Sequence, residues 1–219
     1  MINRNLIILS IGQIFSFTSP VVSVLLSGII GASMTNINYL ATLPTALMIV
    51  GTAIGSLIAS KIMKVKGRRF GFSLASIINS FFSLVCAYAI FIDNFVIFCL
   101  GNLTIGLSVS FAQQYRFAAS ESVQTSNIPK AISLILLLGI VASLLGANIV
   151  SLSKDILNST YVGSYIAMSL LTIIPFFFFI FYQNEKTTND VKIKSQKSII
   201  QLLSNKDIQL SILSAGVGY

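Results

Sequence analysis

Residues 6–30 read LIILSIGQIFSFTSPVVSVLLSGII, a run without a single Asp, Glu, Lys or Arg. An α-helix rises 1.5 Å per residue, so this run reaches about 37 Å. That is enough to cross a hydrocarbon core of about 30 Å. It is too long for the apolar region of a signal peptide, and no small-x-small cleavage site closes it. It therefore reads as a retained membrane span, Leu6–Ile30. Five further stretches have the same character: Tyr39–Ile62, Phe70–Ile92, Phe95–Gln113, Ala131–Leu152 and Tyr161–Tyr182, with Lys61 at the end of the second as their one charge. Membrane strands are about 10 residues long and alternate in polarity; these stretches are twice as long and do not alternate. The expected fold is an all-α membrane protein, a six-helix bundle over 1–182.

The whole chain agrees. It has 219 residues, 55% hydrophobic and 9% charged, with mean hydropathy +0.89. Soluble domains carry about 25% charged residues, so the solvent of this chain is largely lipid. It has no His, the commonest general base and metal ligand. Its six acidic residues, Asp93, Glu121, Asp155, Glu185, Asp190 and Asp207, all fall outside the spans. No acid–base pair or metal site assembles at membrane depth from such a set, so the reading is no enzyme, no cofactor and no metal. Cys86 and Cys99 lie in apolar runs without redox or zinc spacing and read as free core thiols.

The net charge of +8 is a topology signal. Arg4, the cluster Lys61–Arg69, Arg116, Lys130 and the lysines after Tyr182 fall on one side, and Lys154 alone falls on the other. Positive residues stay cytoplasmic, so both ends of the six-helix unit are expected there, and nucleic acid is not a partner. The segment 183–206 reads as a cytoplasmic loop with a short amphipathic helix. Residues 207–219 turn apolar again and look like the start of an incomplete seventh span.

Inside the spans, polar and small residues form stripes. Gly12, Ser16, Ser19, Ser23 and Ser27 are spaced to share one helical face, bordered by Gln13 and Pro20. The second span aligns Thr45, Thr52 and Ser56 beside a GxxxG at Gly51 and Gly55. The third aligns Ser76, Asn79, Ser80 and Ser83; the fourth, Asn102, Gly106 and Gln113; the fifth, Gly139, Ser143 and Gly146. The sixth shows no stripe of that length. Such faces either pack helices closely or line a wet path. Large amides in hydrocarbon require a partner, so Gln13, Ser16, Ser19, Ser23, Thr45, Thr52, Asn102 and Gln113 are the candidates for a substrate path.

The loop Ser60–Arg69 ends in Gly67-Arg68-Arg69 and resembles the Gly-x-x-x-Asp-Arg-x-Gly-Arg-Arg motif of the major facilitator superfamily, with Ser60, Lys64 and Val65 at the first Gly, Asp and Arg places. The resemblance implies that the Asp latches two halves together; Lys64 stands there instead. Asn102 and Gly106 take the places of an Arg-x-x-x-Gly motif implied in proton coupling, and Gly139, Ser143 and Gly146 echo a glycine-rich motif of drug antiporters. Gln114-Tyr115-Arg116-Phe117-Ala118-Ala119, with Leu43-Pro44, looks like a poorly characterised bacterial branch of that superfamily.

The family's fold implies two six-helix halves, each an inverted pair of three-helix repeats around a midplane site. The resemblance makes this chain an amino-terminal half: a secondary transporter of a small solute working by alternating access, with spans one, two, four and five lining the path. The alternative is a truncated or decayed fragment that folds without transporting. The implied partners are the lipid bilayer, a small-molecule solute, and a second half-transporter chain or a carboxy-terminal half. The implied location is a bacterial inner membrane.

Overall fold

Asn3 starts the first helix. Its side-chain oxygen accepts the Leu6 backbone N–H at 2.8 Å, and α1 (Arg4–Ser16) follows. Such a cap satisfies a donor that no intrahelical carbonyl can reach. After a break at Phe17, α2 (Thr18–Met34) continues the same span. Pro20 explains the break: it has no N–H to give to the Ser16 carbonyl one turn earlier. Thr18 gives its hydroxyl to the Phe15 carbonyl at 2.6 Å. The computed structural model describes residues 3–154, 156–157 and 160–184. The chain divides into units 1–185 and 186–219. Beyond Gln183 and Asn184, the expected loop 183–206 and the expected seventh-span start 207–219 lie outside the described residues.

The next helix, α3 (Leu43–Phe91), has 49 residues. A straight rod of that length would extend about 74 Å, more than twice the membrane core. The chain instead reverses at Gly67, where φ is 82 and ψ is 162, a conformation that only glycine adopts without strain. Met63 Cγ lies 2.8 Å from where a Gly71 side chain would begin. Eight residues of unbroken helix would separate them by about 12 Å. So α3 is two arms, 43–66 and 68–91.

The remaining helices are α4 (Phe95–Ala112), α5 (Tyr115–Glu121), α6 (Ile128–Ser153) and α7 (Val162–Phe179), with 3-10 turns at Asn38–Leu40 and Thr125–Asn127. There is no strand among the described residues. Five helical stretches are long and apolar enough to cross a membrane, and one of them contains the folded α3. The protein is an all-helical membrane bundle. Its first span runs longer than Leu6–Ile30, from Arg4 to Met34.

Two apolar cores are stacked along the bundle. The first gathers Leu6, Leu9, Phe72, Tyr115 and Phe179 near the end that carries the basic residues, hereafter the basic end. There the Phe72 ring packs edge-on to Tyr115, with centroids 4.8 Å apart, and lies 5.2 Å from Phe179. The second gathers Val22, Leu26, Phe98, Tyr165 and Met168 toward the opposite end. Cys86 belongs to it, and both cysteines are buried and unpaired, as read from the sequence.

The closest approach in the bundle is between the first arm of α3 and α4. A Cβ on Gly55 would stand 2.6 Å from Ser110 Oγ and 2.7 Å from the Leu107 carbonyl oxygen. Cβ atoms on Gly51 and Gly106 would strike the carbonyls of Leu103 and Met48. The GxxxG face is thus a backbone-to-backbone contact, the geometry that small residues allow in lipid. The second arm then meets α4 through a tight turn. Asp93 takes a left-handed φ of 54, and the Asn94 side chain caps Ile97 N–H at 3.0 Å.

Candidate functional site

A layer of paired polar side chains crosses the bundle between and beside the two cores. Ser19 Oγ donates to Asn79 Oδ1 at 2.9 Å, joining α2 to the second arm of α3. Ser80 and Ser169 bond through their hydroxyls at 2.9 Å, and Ser169 also donates to the Ser80 carbonyl at 2.8 Å. Ser27 Oγ donates to Asn102 Oδ1 at 3.0 Å, and Asn102 Nδ2 donates to the Phe98 carbonyl at 3.0 Å. The Tyr165 hydroxyl lies 3.4 Å from Ser27 Oγ. Toward the basic end, Ser16 and Tyr115 pair through their hydroxyls at 3.0 Å. Ser153 and Ser164 pair at 3.1 Å and tie α6 to α7. Interhelical bonds of this kind stabilise membrane bundles by about 0.6–2 kcal/mol each.

The candidate path residues therefore divide. Ser16, Ser19 and Asn102 are buried and satisfied by other helices, with Asn102 fully sealed. Thr45 is only half-buried, and Thr52 gives its hydroxyl to the Met48 carbonyl of its own helix at 2.9 Å; neither joins the layer. Gln113 does not join the layer with Asn102. It caps α4 where the helix breaks before α5, and it is exposed. Its backbone N–H still bonds the Val109 carbonyl at 3.1 Å, so the difference lies in its place at the end of the helix, beyond the buried layer.

Among the buried polar side chains of the described residues, Gln13 and Ser23 make no hydrogen bond. Ser23 Oγ is sealed near the Tyr165 hydroxyl, outside bonding geometry.

Asn79, Tyr165 and Ser169 complete the layer but were not among the candidates. The sixth span did carry the signal: Tyr165, Ser169 and Thr172 are spaced four and three apart and share a buried face. Removing an acceptor from this layer leaves a hydroxyl stranded in hydrocarbon. Asn79→Leu is expected to cost about 1–3 kcal/mol, with Ser19→Ala in the same chain recovering part of it, read as thermal unfolding midpoints in detergent.

The basic end is tied by a second network. Arg68 forks onto Glu121, Nε to Oε2 at 2.7 Å and Nη2 to Oε1 at 2.5 Å. Arg68 thus has a protein partner at the basic end. Asn184 Oδ1 accepts the Arg69 N–H at 2.9 Å, and its amide sits against Gly67. Asn5 and Gln183 exchange two bonds, at 2.9 and 3.1 Å, and the Asn3 amide donates to the Ser122 carbonyl. Arg116 is exposed, with its guanidinium 5.0 Å from the Phe117 ring. A double-mutant cycle of Arg68→Gln and Glu121→Gln should give a coupling of about 0.5–1 kcal/mol that falls as salt rises. No group of three His, Cys, Asp or Glu side chains able to hold a metal occurs among the described residues.

No family model matches the chain. Among curated proteins, it is 33% identical over 172 residues to the riboflavin transporter RfnT of Brucella anthropi, a match covering 78% of this chain and 43% of that protein. It is 25% identical over 161 residues to YdeG of Bacillus subtilis, an uncharacterised MFS-type transporter, covering 74% of this chain and 37% of that protein. The chain spans about two fifths of the length of these relatives. It is a multi-pass integral membrane protein, similar over about three quarters of its length to curated transporters, one of them named as MFS-type, in line with the resemblance of the Gly67-Arg68-Arg69 loop.

Proposed function

We propose that this chain is one six-span half of a secondary transporter, built as two inverted three-helix repeats, that carries a small solute by alternating access. Both ends of the unit face the cytoplasm of a bacterium, across its inner membrane. The observation that carries this reading is the 172-residue similarity to a protein named as a riboflavin transporter. The reversal at Gly67 supports it, because it divides α3 into two membrane-length arms. The outward face of α6, where Leu136, Leu137, Ile140 and Leu144 are exposed, leaves an apolar surface for lipid or for a second half.

Riboflavin is the first solute to test. In a riboflavin-requiring bacterium without its own uptake system, the chain should raise accumulation of labelled riboflavin above the empty-vector level. Collapsing the membrane potential and proton gradient should abolish the rise. Chain present in the membrane with no accumulation would favour the non-transporting fragment. Sidedness is tested separately with reporter fusions after Gly31, Asn94, Asn158 and Tyr182. The first three are expected outside and the last inside; a cytoplasmic signal at any of the first three would overturn the topology.

A further inference from the structure

We propose that Gln13 is the residue through which this half recognises its solute, and that the solute is uncharged and carries adjacent N–H and C=O groups, as a lactam or cyclic imide does. The inference rests on the transporter reading above and names the chemistry of the site.

Gln13 stands nine residues into the first span from Arg4, a depth of about 14 Å. Its side chain is 5% exposed and makes no hydrogen bond among the described residues. Its amide is nevertheless not sealed, in contrast to Ser23 Oγ. Along the serine face that it borders, Ser16, Ser19 and Ser27 are each paired across the bundle, and Ser23 is sealed. An amide without a partner in hydrocarbon costs several kcal/mol, so the Gln13 amide is completed by something that enters from outside the bundle.

The Gln13 amide itself fits against α6 because position 139 carries no side chain. The Gln13 Nε2 atom lies 3.2 Å from where a Cβ on Gly139 would stand, so any side chain there would press on the amide.

The chemistry of the visitor follows from what the site offers. A glutamine amide presents one acceptor oxygen and two donor hydrogens in a plane. That edge matches a cis N–H/C=O pair through two antiparallel hydrogen bonds. Every charged side chain among the described residues lies at an end or turn of the bundle, so an ionised solute would find no counter-charge on this half at that depth.

Two measurements on the full chain test the proposal. The first uses riboflavin and its N3-methyl derivative, the same ring system without the imide N–H, as probes of purified chain in lipid nanodiscs. The unaltered chain should bind riboflavin at least tenfold tighter. Gln13→Leu should erase that preference, and Gln13→Asn should restore part of it; a preference intact in Gln13→Leu overturns the proposal. Gln13→Met, closer in volume, replaces the leucine variant if that one does not fold.

The second measurement needs no solute. A Gln13→Cys chain, with Cys86→Ala and Cys99→Ala, is exposed to a membrane-impermeant maleimide. Labelling supports an open contact, and its absence from both sides of the membrane overturns the proposal. Labelling combined with no riboflavin binding by the unaltered chain refutes the flavin assignment and supports Gln13 as an open polar contact.

Discussion

Gly106→Leu is expected to leave almost no correctly assembled protein. Position 106 faces the Met48 carbonyl so closely that even a methyl group would strike the backbone. Across the same seam, Gly51 and Gly55 face α4 in the same way, so the neighbouring helix cannot move aside locally. Over-packing of a core normally costs about 1–3 kcal/mol, because flexible side chains yield. Here the obstacle is main chain, and the expected loss is at the top of that range or beyond. Size-exclusion profiles and thermal midpoints in mild detergent measure it, with Gly106→Ala expected to fall between. Gly28→Ala is the control, since nothing lies within 4 Å of a Cβ there; it should be close to neutral. Equal behaviour of Gly106→Leu and Gly28→Ala would show that the seam is not the contact described.

Gly67→Ala is the second change expected to have a large effect. A backbone at φ 82 and ψ 162 lies in a region that is essentially closed to residues with a Cβ, at a cost of about 1–3 kcal/mol. The added methyl would also meet the Asn184 amide, displacing the group that holds Arg69 N–H. The thermal midpoint should fall, and Gly67→Asn should not rescue it, because asparagine tolerates the left-handed helical region rather than this one. Asp93, at φ 54, provides the contrast: Asp93→Asn should be tolerated. A chain with Gly67→Ala as stable as the original would mean that the reversal does not depend on this conformation.

The spans were legible because lipid imposes a simple rule: a long uncharged run must be a helix. The serine stripe was legible because period 3.6 puts Ser16, Ser19, Ser23 and Ser27 on one face. What one helix cannot reveal is what its face meets. Asn79 and Ser19 form one bond across 60 positions of sequence, and Ser80 and Ser169 across 89. Nor does spacing tell how deep a face stays covered: Gln113 follows Asn102 by about three turns, yet it caps the end of α4 and is exposed. Glu121 was set aside as an acid outside the spans, and its fork with Arg68 depends on the reversal at Gly67 bringing the two loops together. Gln13 was legible as an oddity, a large amide in an apolar run. That it stays both unpaired and unsealed among the described residues required the positions of all its neighbours.

The distribution of cross-links also sets how the bundle can deform. Bonds of 2.9–3.0 Å pin the first span, the second arm of α3 and α4 against one another along their axes, and Ser80 with Ser169 pins α7 to the same frame. Sliding any of these helices by one residue, 1.5 Å, breaks its bonds at a stroke. Among the described residues, one side-chain hydrogen bond joins α6 to another helix, Ser153 to Ser164 at its far end. Mechanically, α6 is a staff bolted at one end to a braced frame; toward its other end, where Gly139 lies beside the Gln13 amide, it is held by apolar packing of Ala131 and Ile135.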